Sequence, residues 1–184
     1  MEYFKPKLFL GMTATPDKRD DGDASRNVYE LFHYQIAYEI RLQQAMEEDL
    51  LCPFHYFGIS DISMITDEQT KARNVSEEYF GRLTSDERVR HVIEQARYYG
   101  YSGDRVKGLI FCSRNRECEE LSAKFNRLGY RTVALSGKNT DREREAAFER
   151  LAMNEADTTD EMQPLDYIFS VDILNEGVDI VEVN

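Results

Sequence analysis

Four short segments carry residue types able to act on a phosphate or a ribose, and each follows an apolar run. The first is Gly11-Met12-Thr13-Ala14-Thr15-Pro16, where two hydroxyls flank a small residue and can hydrogen-bond a neighbouring loop without steric conflict. The second is Gly108-Leu109-Ile110-Phe111-Cys112-Ser113-Arg114-Asn115. A hydroxyl and a guanidinium at a helix start make an anion site, because the first amides are unpaired and the helix dipole is positive there. A nucleic-acid phosphate is a fitting ligand. The plainer alternative has Ser113 or Asn115 capping the helix while Arg114 points into water. The third segment, Leu135-Ser136-Gly137-Lys138-Asn139, again lets backbone amides approach a phosphate, although a glycine turn would look the same. The fourth and most specific is Phe169-Ser170-Val171-Asp172-Ile173-Leu174-Asn175-Glu176-Gly177-Val178-Asp179-Ile180. Gly177 permits close backbone approach, Asp179 is spaced to accept hydrogen bonds from ribose hydroxyls, and Asp172 stands at a strand end. A turn glycine and a helix cap explain one of these residues but not the arrangement.

Chemistry at such loops requires elements that bring them together. Lys7 to Gly11 reads as a short strand, followed by a polar linker over Asp17 to Asp23. Ile36 to Ile40 suits a strand, Arg41 to Leu50 a helix, and Phe54 to Ile59 another strand after Pro53, with irregular chain from Ser60 to Asn74. Thr84 with Glu87 makes a capping box opening a helix whose face carries Val89, Val92, Ile93 and Ala96. Val106 to Cys112 is a buried-type strand. Cys118, Leu121, Phe125 and Leu128 recur at helical spacing before Gly129, a natural helix stop. Thr132 to Leu135 is a strand, and Thr140 with Glu143 caps the next helix. An acidic loop over Asn154 to Pro164 leads to a strand over Asp166 to Val171 and a turn over Asp172 to Gly177. Strands alternating with helices predict an α/β fold with a parallel sheet, in which ligands sit beyond the carboxyl ends of the strands.

Composition bounds the reading. Hydrophobic residues are 41% and charged residues 32% of 184, which excludes a mostly disordered chain. No stretch approaches the ~20 apolar residues needed to span a bilayer, and the first residues lack a signal-peptide pattern. Three cysteines (Cys52, Cys112, Cys118) in no metal-type spacing fit reduced thiols, a cytoplasmic location and no metal site. The net charge is −12, yet Asp104 to Arg150 holds 11 basic against 8 acidic residues, a local +3. A polyanion would therefore be met locally, in that middle stretch.

The ordered segments resemble superfamily 2 helicases and translocases. Thr13-Ala14-Thr15-Pro16 looks like motif III, Gly108 to Arg114 like motif IV, and Ser170 to Ile180 like motif V. Ala37 to Ile40, followed by Gln44 to Leu51 and Pro53, is similar to the branch with type III restriction subunits. The resemblance implies that residues 1–33 are the tail of a first RecA-like domain plus linker, and that 34–184 are an incomplete second RecA-like motor domain. In the intact parent, ATP and magnesium would sit between the two domains. By the same resemblance Thr13, Ala14 and Thr15 couple that site to domain movement, and Gly177 and Asp179 line the nucleotide side. Ser113, Arg114, Ser136, Gly137, Lys138 and Asp172 meet the nucleic-acid strand, DNA being favoured over RNA. Val171 departs from the usual Thr or Ser of motif V, so the hydroxyl contact to phosphate is lost there or shifted to Ser170 or a backbone amide. No glycine-lysine phosphate loop, acidic metal box or arginine-rich motif VI is recognisable, so no catalytic residue is assigned and the chain alone is expected not to hydrolyse ATP or to hold a cofactor. The partners implied are nucleic acid and the first motor domain of the same parent. An exposed sheet edge also invites a homodimer.

Two other classes fit the sequence less well. A non-catalytic receiver-like or flavodoxin-like interaction domain suits the acidic charge, but a receiver needs an acidic cluster after its first strand, and none follows Leu10 or Ile40. A small-molecule nucleotide binder needs a glycine-rich phosphate loop, which is lacking.

Overall fold

The computed structural model describes residues 7–13, 16, 28–59, 77–171, 173–174, 180 and 183–184. The chain forms two compact units, Met1–Phe57 and Gly58–Asn184.

The first unit contains a single helical turn, α1 (Val28–Leu31), and a short helix, α2 (Leu42–Glu47). Helix α2 follows Arg41 in an extended conformation and buries Ala45. Gln43 and Gln44 donate to Glu47 and Glu48 one turn on, at 3.2 and 2.7 Å. Asp49, at φ 56°, then ends the run. Phe9 stacks on Phe32 with ring centroids 4.8 Å apart, and a methyl group on Gly11 would collide with the same ring. Residues 7–11, 36–40 and 54–59 are not strands, contrary to expectation. Apolar alternation marks a segment that can pair, but a strand exists only when another strand supplies its hydrogen bonds, and none does so among the described residues.

The described residues of the second unit include α3 (Glu77–Leu83) and α4 (Asp86–Tyr99). The cap of α4 is Ser85, whose hydroxyl accepts from the Arg88 amide at 3.2 Å, not Thr84 as the capping pattern predicts. Thr84 belongs to the preceding helix: its buried hydroxyl donates to the Phe80 carbonyl at 3.0 Å. Val89 and Ile93 are buried as expected, while Val92 stays exposed. Gly100 at φ 76° closes the helix.

Next come β1 (Gly108–Phe111), α5 (Asn115–Arg127), β2 (Thr132–Leu135), α6 (Asp141–Ala152), a 3-10 turn over Glu155–Asp157 and β3 (Tyr167–Ser170). Helix α5 stops as the sequence indicates. Gly129 takes φ +91°, its amide reaches the Asn126 carbonyl, and the Tyr130 amide reaches the Phe125 carbonyl at 3.1 Å. This left-handed stop brings the Tyr130 ring onto Phe125, 5.6 Å between centroids. Helix α6 opens with the expected Thr140–Glu143 capping box.

The three strands are parallel in the order β1-β3-β2, so β3 is central and its Ile168, Phe169 and Ser170 are buried. Side-chain alternation along β3 divides the core between two faces. Phe169 packs with Val89 and Ile93 of α4 and with Cys118, Leu121 and Phe125 of α5. Ile168 packs with Leu135, Ala147, Leu151, Leu165 and Leu174. Gly108 is required beside β3, because a methyl there would lie 2.5 Å from the Tyr167 ring. This is the α/β fold with a parallel sheet flanked by helices that the RecA-like resemblance implies.

The amino-terminal edge of the sheet is held by a buried charge network. Arg105 donates to the Leu151 and Met153 carbonyls at 2.6 and 2.8 Å, closing α6, and to the Leu165 carbonyl at 2.7 Å. It also meets Asp166, which takes the Arg131 amide at 2.8 Å and the Arg131 guanidinium at 2.9 Å. Arg131 reaches Glu155 in turn, and Lys107 donates to the Ala152 carbonyl at 2.7 Å.

Candidate nucleic-acid interface

Register decides which loops can act together. Phe111 and Leu135 are both level with Ser170, so the three strands end at one height and their loops leave side by side. Adjacent strands lie about 4.8 Å apart. Ser113 and Arg114 therefore share an edge with Ser136, Gly137 and Lys138, with the chain after Ser170 between them.

At the first loop, the Ser113 amide and hydroxyl both donate to one oxygen of Glu117, at 3.0 and 2.8 Å. Glu117 is only 5% exposed, and its other oxygen faces Arg88 at 3.8 Å. Arg88 donates to the Leu83 carbonyl at 2.7 Å, which ties this loop to the end of α3. The hydroxyl of Ser113 thus has its one proton committed inside the protein, and a carboxylate already stands at the positive end of α5. Arg114 holds the cap position in an extended conformation with no side-chain cap bond. Its half-buried guanidinium has no partner among the described residues.

At the second loop, Asn139 organises the turn. Its side-chain oxygen accepts from the Ser136 backbone amide at 2.8 Å and the Ser136 hydroxyl at 3.3 Å, while its backbone amide donates to the Ser136 carbonyl at 3.1 Å. Gly137 and Lys138 are exposed at the tip. Arg144, on the first turn of α6, donates to the Ser136 carbonyl at 3.4 Å and meets Asp141 at 3.5 Å, and its buried Nε has no partner among the described residues. At the third loop, the Ser170 hydroxyl is buried without a partner among the described residues. Ile173 closes a turn onto the Val171 carbonyl at 2.6 Å. Asp172, Gly177 and Asp179 lie outside the described residues, as do Ala14 and Thr15. Thr13 is described and exposed, in the first unit.

Two thiols flank the first loop. The Cys112 thiol is pushed far up by hydrogen bonding with Cys118, by burial and by the nearby Glu117 carboxylate. The Cys118 thiol is lowered by the same hydrogen bond.

The sequence of residues 87–184, more than half of the chain, matches the helicase conserved C-terminal domain. The chain belongs to that family. No curated protein matches it. Membership in a helicase C-terminal domain family disfavours the receiver-like and flavodoxin-like reading.

The basic stretch of this helicase domain does not gather into one patch. Arg105, Lys107 and Arg131 serve the amino edge, and Arg150 donates to the Gln163 carbonyl at 2.8 Å. Lys124 pairs with Asp86 at 2.6 Å, and Arg116 lies over the Phe80 ring at 4.1 Å. At the strand-end loops stand Arg114 and Lys138, with Arg144 behind. Sequence reasoning missed Glu117, Asn139 and Arg144. The first two carry a local signal, an acid four residues after Ser113 and an Asn three after Ser136, whereas nothing in the sequence ties Arg144 to Ser136.

Proposed function

We propose that the chain is the second motor domain of a superfamily 2 nucleic-acid helicase or translocase, in the branch with type III restriction subunits, acting on DNA. Residues 1–33 are read as the tail of the first motor domain with its linker, and 34–184 as the second domain. The observation that carries this reading is the common height of the ends of β1, β2 and β3, which aligns three loops along one edge. A strand backbone lying along that edge would meet Arg114 and Lys138 as charges and the exposed Gly137 backbone at close range. Such contacts follow the phosphates and carry no base preference. Ser113 and Ser136 then act as loop organisers facing Glu117 and Asn139. Asp172 is assigned to the strand side, Gly177 and Asp179 to the ribose side of the nucleotide, and Thr13, Ala14 and Thr15 to coupling between them. ATP and magnesium belong to a parent that also holds the first motor domain, where they supply the phosphoryl chemistry.

The test is binding of a labelled single strand across a salt series. Arg114→Ala is expected to weaken binding equally for unrelated sequences and to reduce the salt slope by about 0.7, the value for one phosphate contact on a single strand. Lys138→Ala should do the same. An unchanged slope in both variants contradicts the reading.

A further inference from the structure

We infer that Glu117 is the positioning residue of this interface, a role that rests on the strand-contact reading above. A carboxylate 5% exposed in the first turn of α5 is costly to bury unless it is hydrogen-bonded. Here one oxygen receives both donors of Ser113, at 3.0 and 2.8 Å, and the other faces Arg88 at 3.8 Å. Arg88 in turn donates to the last carbonyl of α3 at 2.7 Å. Backbone and side chain of Ser113 are thus clamped at one point, and the next residue is Arg114. Arg114 must leave that clamp in an extended conformation, φ −151° and ψ 149°, because its own carbonyl already accepts from the Cys118 amide at 3.1 Å. With the residue fixed on both sides, the origin of the guanidinium is set by the protein before any strand arrives, which lowers the ordering cost of binding. Ser113 therefore works inward on Glu117, and Glu117 acts on the strand through Arg114. The chain from the end of α3 through Arg88 and Glu117 also links the α3–α4 corner to the strand contact.

Two measurements test this on the 184-residue chain. Amide exchange without any strand reads the clamp. The Ser113 amide should exchange slowly in the wild type and about tenfold or more faster in Glu117→Gln, as for loss of a hydrogen bond to a charged acceptor. Ser113→Ala, at an exposed position, should also speed exchange at residue 113, which a hydroxyl reserved for phosphate would not do. Single-strand binding reads the positioning. Glu117→Gln should weaken binding at every salt concentration, and the double variant should bind no more weakly than Arg114→Ala alone. Fast Ser113 exchange in the wild type, or wild-type affinity in Glu117→Gln while Arg114→Ala binds more weakly, would overturn the inference alone. Absence of strand binding by the wild type overturns the strand-contact reading beneath it. If Glu117→Gln does not fold, the exchange rate in Ser113→Ala decides.

Discussion

Replacing Arg105 by alanine should remove a large part of the stability of the second unit. Arg105 is 7% exposed and holds two carbonyls at the end of α6 together with the Leu165 carbonyl entering β3, at 2.6, 2.8 and 2.7 Å. Removing one partner of a buried ion pair costs about 3–5 kcal/mol when the other charge is stranded. Asp166 is not stranded here, because Arg131 still reaches it at 2.9 Å. The dominant loss is therefore the buried carbonyls, at about 1–3 kcal/mol each before water or backbone shifts relieve them. A net loss of ~3–5 kcal/mol follows, against a total of about 5–15 kcal/mol for a domain of this kind. Arg105→Lys keeps the charge, but one ammonium cannot serve both the end of α6 and Leu165, so ~1–3 kcal/mol is expected. Urea unfolding followed by far-ultraviolet circular dichroism measures both, with the midpoint lowered and the slope unchanged. A loss below about 1 kcal/mol in Arg105→Ala would refute the argument that this arginine fastens α6 to the sheet.

Four further outcomes are expected. Phe169→Ala should destabilise the second unit by about 3–5 kcal/mol in the same assay, because the ring is fully buried on the central strand among Val89, Cys118 and Phe125. Thr140→Ala should cost about 1 kcal/mol through loss of the α6 cap. Glu143 is held below its ordinary value of 4.5 by the amide and hydroxyl of Thr140. A lowered folded-state value means that its contribution is complete above 4.5 and is lost as pH falls further. Thermal melts across acidic pH should accordingly show a shallower acid limb in Glu143→Gln than in the wild type, and identical limbs would contradict this. Finally, iodoacetamide should modify exposed Cys52 rapidly and Cys112 slowly, since the Cys112 thiol is kept protonated by Cys118 and burial. Peptide mass mapping that finds both modified equally fast would count against that pairing.

The second unit was legible in the sequence wherever local chemistry and tertiary pairing agree. Gly129 stops α5, Thr140 and Glu143 cap α6, and residues 132–135 form β2, because each signal acts within a few residues. Residues 7–11, 36–40 and 54–59 carry strand-like apolar patterning yet form no strand, because patterning does not show whether a partner strand exists, and none pairs with them among the described residues. The Thr84 cap was misplaced by one residue, since α3, which carries no strong periodic signal, claims Thr84 for its own end. At the interface, the loops were legible as strand-end segments, but the commitments of their side chains were not. The sequence offers Ser113 as a phosphate contact or a helix cap, and gives no sign that its hydroxyl proton goes to the buried Glu117. The local excess of basic residues looked like a surface for a polyanion, yet Arg105, Lys107 and Arg131 are spent on carbonyls and carboxylates at the opposite edge. A count of charges carries no direction, and only the fold assigns each one to an edge.

The central claim, that this is the strand-gripping half of an ATP-driven motor, is tested most directly in the longer parent carrying both motor domains. ATP hydrolysis should be measured alone and with single-stranded DNA, duplex DNA and RNA. The account predicts that one polymer, DNA, stimulates hydrolysis, and that Arg114→Ala shifts the stimulation to higher polymer concentration. Hydrolysis that is absent, or unaffected by every polymer, would contradict it.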